Sequence, residues 1–376
     1  MADAFPPQTD RAPNPGRLVC TYGSHGRHGH KAASHEMLSR RLAKVLGFNF
    51  CGAFEHKPAE VDSYVIPMQV LCGTDTRIAC AIAGEGDLFG GWVAWDYLAD
   101  KTIMHPVLAR AKVIPAGWSP AFARDAAPLT LGGISAFCAE DIVHAARQML
   151  RHGPVRLKSA QADGGMGQVA VGDLMSLTRA LDFVGDGACV VEENLTDVTT
   201  YSVGQTRLPG MVISYCGVQE QTRSNSGAVA YGGSRLWLVR GGFDALLARP
   251  LGAYLRAAVE ISMRFDQLAD LHLSGLIASR RNYDVAHGTG VDGQPRMGVI
   301  DQSWRAGGAS GAELVAVEAF LADPARHEIF ARTAEVYGPQ ARPPAGAVVY
   351  YHGDDPMLGP LLKYATEEPA HAGQIR

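Results

Sequence analysis

The chain has 376 residues, of which 47% are hydrophobic and 19% charged, with a formal net charge of −4. At about 150 residues per domain this predicts two or three domains with cores large enough to need no disulfides, and it excludes a disordered or fibrous protein. The acidic balance argues against a nucleic-acid binder, and no run approaches the roughly 18 apolar residues of a membrane span.

The opening residues 1–16 are Pro-rich and polar, carry Asp3 and Asp10, and lack the apolar region of a secretory signal, so disorder is expected there. The seven cysteines form no C-x-x-C pair and sit beside apolar neighbours. They read as reduced, buried thiols of a cytoplasmic protein rather than a disulfide frame or a zinc site. Arg17–Tyr22 predicts a strand, followed by the loop Gly23-Ser24-His25-Gly26-Arg27-His28-Gly29-His30-Lys31 and a helix over 34–46 capped by Ser34. A strand at 48–54 completes a βαβ opening. Further strands are expected at 64–71, where Pro67 implies a sheet edge, and at 78–82. The histidines of the loop lack any Cys or carboxylate partner nearby, so contact with a substrate anion or a plain surface loop is the preferred reading over a metal.

From about Pro115 the texture changes. Helices are expected over 136–150 and 174–181, strands over 155–158, 169–171, 188–191 and 200–205, and a long helix over 243–266 that Pro250 must kink or restart. Gln219–Arg223 and Ala230–Arg235 precede that helix, the second reading as a turn. A hairpin is predicted from 275–286 and 297–303, then a helix over 313–321. The tail after Pro343 reads as irregular apart from 347–352.

Three segments carry chemistry. In Arg156-Leu157-Lys158 followed by Gly164-Gly165-Met166-Gly167-Gln168, a strand delivers a lysine beside a glycine loop whose N–H groups can approach phosphate oxygens. A strand rather than a helix follows, so this is neither a P-loop nor a dinucleotide fingerprint; an incidental hairpin turn is the competing reading. In Cys189-Val190-Val191-Glu192-Glu193-Asn194-Leu195, a strand runs into an acidic linker that can present backbone groups and a carboxylate to an adenine edge. In Asp301-Gln302-Ser303-Trp304-Arg305-Ala306-Gly307-Gly308, Asp301, Ser303 and Arg305 share one face of an extended segment. Oxygen ligands beside a guanidinium suit Mg²⁺ bridged to phosphate.

These motifs, with Asp100-Lys101 ahead of them, resemble in order and spacing those of the ATP-grasp superfamily, and more narrowly an uncharacterised bacterial branch of it. The likeness spans about residues 95–310. It implies a fold of mixed α/β and α+β class: a Rossmann-like pre-ATP-grasp domain over 17–112, a small lobe over 113–192 and a large lobe with the metal site over 193–342. Residues 343–376 would form an irregular tail.

The resemblance also implies roles. Lys101 and Lys158 would contact the α- and β-phosphates, with Gly164, Gly165 and Gly167 as a lid over the β- and γ-phosphates. Glu192 and the backbone at Glu193 and Leu195 would hold adenine. Asp284, Asp301 and Ser303 would hold Mg²⁺, with Mn²⁺ as an alternative. Asn282, which shares the face of Asp284, and Arg280, Arg281 and Arg305 would act on the transferring phosphoryl and acyl groups. Asp301 and Ser303 are shorter than the family's Glu and Asn. The implied activity is an ATP-dependent ligase that activates a small-molecule carboxylate as an acyl phosphate for attack by an amine or a thiol. A degenerate ATP-binding sensor or scaffold and a small-molecule kinase are the alternatives. The expected partners are these small molecules and a second copy of the chain, not nucleic acid or a membrane.

Overall fold

The computed structural model describes residues 16–23, 28–54, 62–160, 167–184 and 187–369, with backbone alone for Phe183 and Val184. β1 (Leu18–Tyr22), α1 (His30–Leu46), β2 (Asn49–Phe54) and β3 (Ser63–Pro67) form the βαβ opening, a parallel sheet in the order β2-β1-β3. β3 lies at the edge and ends on Pro67, whose missing N–H costs no interior ladder bond there. α1 begins a turn earlier than its apolar spacing suggests. Gly29 at φ 87° is its N-cap, and Asp355 accepts the His30 N–H at 2.7 Å, so Ser34 is interior and not the expected cap.

The seven cysteines are not all free, contrary to the sequence reading: Cys20 on β1 is bonded to Cys51 on β2. Pairing of adjacent parallel strands, which spacing does not reveal, brings their Cα atoms to 5.3 Å. The other five cysteines are free thiols.

β4 (Leu71–Cys72), α2 (Gly73–Ala79) and β5 (Gly91–Val93) follow. The strand expected at 78–82 is instead the end of α2 and its turn. The Thr76 hydroxyl donates to the Cys72 carbonyl at 2.6 Å inside that helical turn, and Ile78 is solvent-exposed rather than paired in a sheet.

α3 (Pro120–Ala126) leads into the small lobe, which is built by β6 (Gly133–Ala136), α4 (Ala139–Met149), β7 (Val155–Ser159), β8 (Gln168–Val171), α5 (Leu174–Val184) and β9 (Cys189–Glu193), with an antiparallel sheet ordered β6-β9-β7-β8. Ile142, Ala145 and Ala146 of α4 and Leu177 and Ala180 of α5 pack on Val155, Leu157 and Val191. The helix expected from Ala136 starts at Ala139, because Ala136 pairs with Cys189 in the sheet.

The large lobe comprises β10 (Thr196–Leu208), β11 (Met211–Arg223), β12 (Val229–Arg240), α6 (Phe243–Leu247), α7 (Ala253–His272), β13 (Ile277–Ala278), β14 (Arg280–Thr289), β15 (Pro295–Ser303), α8 (Ser310–Ala322), β16 (Glu328–Tyr337), β17 (Val348–Asp355) and β18 (Gly359–Glu368). An eight-stranded sheet runs β15-β14-β10-β11-β12-β16-β18-β17. Pro250 separates α6 from α7 as a restart. Gln219–Arg223 and Ala230–Arg235 lie within β11 and β12, so the second is not a turn. The tail is not irregular either: β17 and β18 form a hairpin that extends the sheet past β16.

Side-chain alternation splits this sheet into two cores. Val203, Trp237, Val239, Tyr283 and Val285 pack with Val259 and Phe265 of α7, while Tyr215, Leu236, Leu238 and Ala331 pack with Ala312, Val317 and Phe320 of α8. Arg281 therefore faces the α7 side, where it meets Asp266 at 3.0 Å. β13 pairs with β5 and fastens the first domain to the large lobe.

Candidate active site

The site assembles where the small lobe and the first turn before it meet β14 and β15. Asp100 caps the 3-10 turn Lys101–Met104, its Oδ1 accepting the Thr102 N–H at 2.8 Å and the Thr102 hydroxyl at 2.6 Å. That turn is tied to β15 by Gln302, whose Nε2 donates to the carbonyls of Leu98 at 2.9 Å and Asp100 at 3.3 Å. Lys101 is buried, donates to the Ala160 carbonyl at 3.2 Å, and brings its Nζ to 3.8 Å from Asp301 Oδ2. One lysine thus touches both the base of the glycine loop and the floor of the site.

Lys158 projects from β7. Its Nζ donates to Glu192 Oε1 at 2.5 Å, and Glu192 Oε2 lies 3.2 Å from His105 Nε2. All three side chains are buried. Burial alone pushes the Glu192 carboxyl up, but the charges and hydrogen bonds of Lys158 and His105 outweigh it and hold the group below the ordinary value. Both Glu192 oxygens are engaged within the protein. The carboxylate orients Lys158, where the sequence reading had it accept from adenine. His105 belongs to this cluster, and nothing in its sequence neighbourhood signals it.

Gly167, at φ +65°, accepts the Ser159 N–H at 2.9 Å and closes the base of the glycine loop. Gly164 and Gly165, and the loop residues Ser24, His25, Gly26 and Arg27, lie outside the described residues. The Glu193 N–H donates to the Gly132 carbonyl at 2.8 Å, so its amide is committed to the sheet and not to the adenine contact expected of it. Leu195 is buried beside Leu131 and Ala286. The Glu193 side chain accepts the Gly132 N–H at 2.8 Å.

β14 and β15 supply the floor. Their pairing skips Ile300, so that Asp284 stands opposite Asp301 and Asn282 opposite Ser303. The strands come close to the small lobe at Gly298, where a Cβ would lie 2.5 Å from the Thr130–Leu131 backbone. Burial pushes the Asp301 carboxyl up to about 6; Lys101, Lys158 and Arg305 draw it down, and Asp284 pushes it further up. Burial also raises Asp284, against hydrogen bonds from Gln219 and Asn282 and the charges of Arg280 and Lys158.

Three expected residues point elsewhere. Arg280 is buried and gives every N–H to the protein: Glu313, Tyr215 and the carbonyls of Ser303 and Arg305. It has no donor left for a phosphoryl or acyl group. Asn282 accepts from Ser202 at 2.7 Å and Tyr215 at 2.9 Å through Oδ1 and donates through Nδ2 to Asp284 at 2.9 Å, so it orients Asp284 rather than facing substrate. Arg281 lies on the opposite face of the sheet, as described above. Arg305 follows β15, and its charge reaches Asp301.

Among the described residues there is no cluster of three or more His, Cys, Asp or Glu that could hold a metal ion. The donor set that does converge is two facing carboxylates on adjacent strands, both raised by burial, with the Ser303 residue one pair further along. Two hard oxygen ligands fit Mg²⁺, which completes its shell with water and phosphate, and do not fit zinc. No helix among the described residues is long and apolar enough to cross a membrane.

A family model described as "Protein of unknown function (DUF3182)" matches residues 18–365. No curated protein matches the chain in sequence. Among solved structures, the N5-carboxyaminoimidazole synthetase of Staphylococcus aureus, complexed with ADP, superposes with a TM-score of 0.57 at 12% identity, covering 94% of this chain and 93% of that one. The carboxyaminoimidazole ribonucleotide synthase of Aspergillus clavatus, complexed with ATP, gives 0.55 at 13% identity over 94% of each chain. The biotin carboxylase domain of the Hydrogenobacter thermophilus 2-oxoglutarate carboxylase, complexed with ADP, its magnesium salt and bicarbonate, gives 0.52 at 12% identity over 94% and 86%. These are ATP-grasp proteins, and at such identities the likeness is one of fold: the chain has the ATP-grasp fold, with a Rossmann-like first domain and two α+β lobes.

Proposed function

The chain belongs to the DUF3182 family, and we propose that it is an ATP- and Mg²⁺-dependent ligase that activates a small-molecule carboxylate as an acyl phosphate for attack by an amine. The observation that carries this reading is the meeting of two buried lysines with two opposed carboxylates. Lys101 Nζ lies 3.8 Å from Asp301, and the charges of Lys101 and Lys158 both act on that group. Cations beside anions suit a polyphosphate held to the lysines and bridged by a cation to the carboxylates.

Lys101 and Lys158 would bind the α- and β-phosphates, Lys158 being held in place by Glu192 and His105. The Glu193 carbonyl and the Leu195 amide would meet the adenine edge, and Gly164, Gly165 and Gly167 would cover the outer phosphates. Asp284 and Asp301, with Ser303, would hold Mg²⁺ or Mn²⁺, which neutralises phosphate charge when bound. Arg305 would bind the transferring phosphoryl group. A substrate carboxylate oxygen attacks the γ-phosphorus in line, the bond to the β-γ bridging oxygen breaks, and ADP leaves. An amine then attacks the acyl carbon, phosphate departs and the amine gives up a proton. Catalysis is positioning and charge neutralisation, and no side-chain nucleophile is needed.

The test is ADP release from the full chain with panels of small carboxylates and amines, against an Asp301→Ala control. Release that depends on both partners and is lost in the control supports the ligase. ATP binding without release under any pairing favours a sensor, and a stable phosphorylated product without amide formation favours a kinase.

A further inference from the structure

The Arg280 guanidinium joins three elements. Its Nε and Nη2 donate to Glu313 on α8, at 3.1 Å and 2.7 Å to Oε1, and Nη2 also donates to the Tyr215 hydroxyl on β11 at 3.1 Å. Its Nη1 donates to the Ser303 carbonyl at 3.2 Å and the Arg305 carbonyl at 2.6 Å. Glu313 is completed by the Thr206 hydroxyl at 3.0 Å on Oε2. From Tyr215 the chain of donors continues to Asn282 and from there to Asp284. Arg280 and Glu313 are 1% and 0% exposed.

We infer that the Arg280–Glu313 pair is a positioning device that sets Asp284 and the Asp301–Arg305 segment relative to each other, and thereby tunes divalent-cation affinity without touching nucleotide. This rests on the reading that Asp284 and Asp301 hold the cation of a metal–ATP complex. One branch of the network runs through side chains, from Arg280 through Tyr215 and Asn282 to the Asp284 carboxylate. The other runs through backbone, from Arg280 to the carbonyls of Ser303 and Arg305, which bracket the turn out of β15. A purely stabilising ion pair would not need to send its remaining donors to those two carbonyls and that hydroxyl. The geometry of buried, hydrogen-bonded groups is set by the partners that satisfy them. Loosening the pair should therefore degrade the site that the two strands share and spare Lys101 and Lys158, which lie on other elements.

The test separates two bindings on the full chain. Mn²⁺ binding in the presence of a non-hydrolysable ATP analogue is followed by electron paramagnetic resonance, and binding of the same analogue in EDTA by calorimetry. Tyr215→Phe removes one hydroxyl from the side-chain branch at nearly constant volume, and Glu313→Gln removes the charge that anchors Arg280. For each variant that folds, Mn²⁺ affinity should fall about tenfold while analogue affinity in EDTA changes less than twofold. If Glu313→Gln does not fold, Tyr215→Phe decides. Unchanged Mn²⁺ affinity in Tyr215→Phe, or equal weakening of both bindings, would overturn the inference. If the wild type binds the analogue and Mn²⁺ while the variants behave like it, this inference alone fails. If the wild type binds neither, the nucleotide reading itself falls and takes this inference with it.

Discussion

Asp284 and Asp301 stand opposite each other on neighbouring antiparallel strands because the ladder skips Ile300. Two carboxylates so placed repel, and burial with that repulsion lifts Asp301 to about 6, although Lys101 draws it down. In the metal-free protein the folded pKa lies above the unfolded one. The folded state therefore takes up the proton first, and this group's contribution to stability falls as pH rises from about 4 through 6. A cation competes with that proton. Mg²⁺ affinity in the presence of ATP should drop as pH falls below about 6, and Asp301→Asn should abolish both the binding and its pH dependence. Calorimetric titrations at pH 5, 6 and 7.5 check this; affinity that is flat with pH in the wild type would remove Asp301 from the site.

Lys158 is the cation best fixed for nucleotide, since Glu192 and His105 hold it from behind. Lys158→Ala should weaken ATP binding by about 1.5–3 kcal/mol, the range for a lost charged hydrogen bond. Glu192→Gln should cost less in binding, because Lys158 keeps its charge and loses only its orientation. A nucleotide titration of the two variants that finds Glu192→Gln the weaker binder would reverse these assignments.

Asp141 tests the scaffold independently of the site. Its buried carboxylate accepts the N–H groups of Lys112 at 2.9 Å and Val113 at 3.2 Å, pinning the segment ahead of the small lobe to α4. Burial acts to raise its pKa, and these hydrogen bonds outweigh it, so the group lies below its ordinary value. Its stabilisation is present above the unfolded carboxylate range and is lost as pH falls through the folded value. Asp141→Asn should cost about 2 kcal/mol near neutrality and progressively less toward pH 3, by urea denaturation at each pH. An equal cost at both ends would mean that the charge is not what holds the segment.

The Cys20–Cys51 bond closes a loop with a sequence separation of 31. A cross-link of that span should stabilise the fold by about 3–4 kcal/mol in the chain-entropy account. Thiol titration of the unreduced, denatured protein should count five free cysteines, and reduction should raise the count to seven. Seven without reductant would show the bond absent.

How much of this was legible in the sequence differs by segment. The strands around Lys158, the strand Cys189–Glu193 and the β14–β15 hairpin were readable, because glycine or charged turns bound each of them. β11, β12 and β16 were not. They are central strands buried on both faces against α7 and α8, so a continuous mix of apolar and polar residues replaces clean alternation, and Gly232-Gly233 imitates a turn where β12 pairs with a bulge. The choice of Asp284 as the neighbour of Asp301 agrees with the register. The withdrawal of Arg280 follows from Glu313, which lies on another element and is not visible in local spacing. Cys20 with Cys51 and His105 with Glu192 are likewise contacts between elements that no motif encodes.

Whether the two lobes hold a metal–triphosphate between Lys158 and Asp301 is decided by calorimetric titration of ATP with and without Mg²⁺ into the wild type, Lys158→Ala and Asp301→Asn. The wild type should bind ATP more tightly with Mg²⁺, Lys158→Ala should lose affinity under both conditions, and Asp301→Asn should lose the Mg²⁺ enhancement alone. ATP binding that is absent in the wild type, or identical across the three proteins, would contradict it.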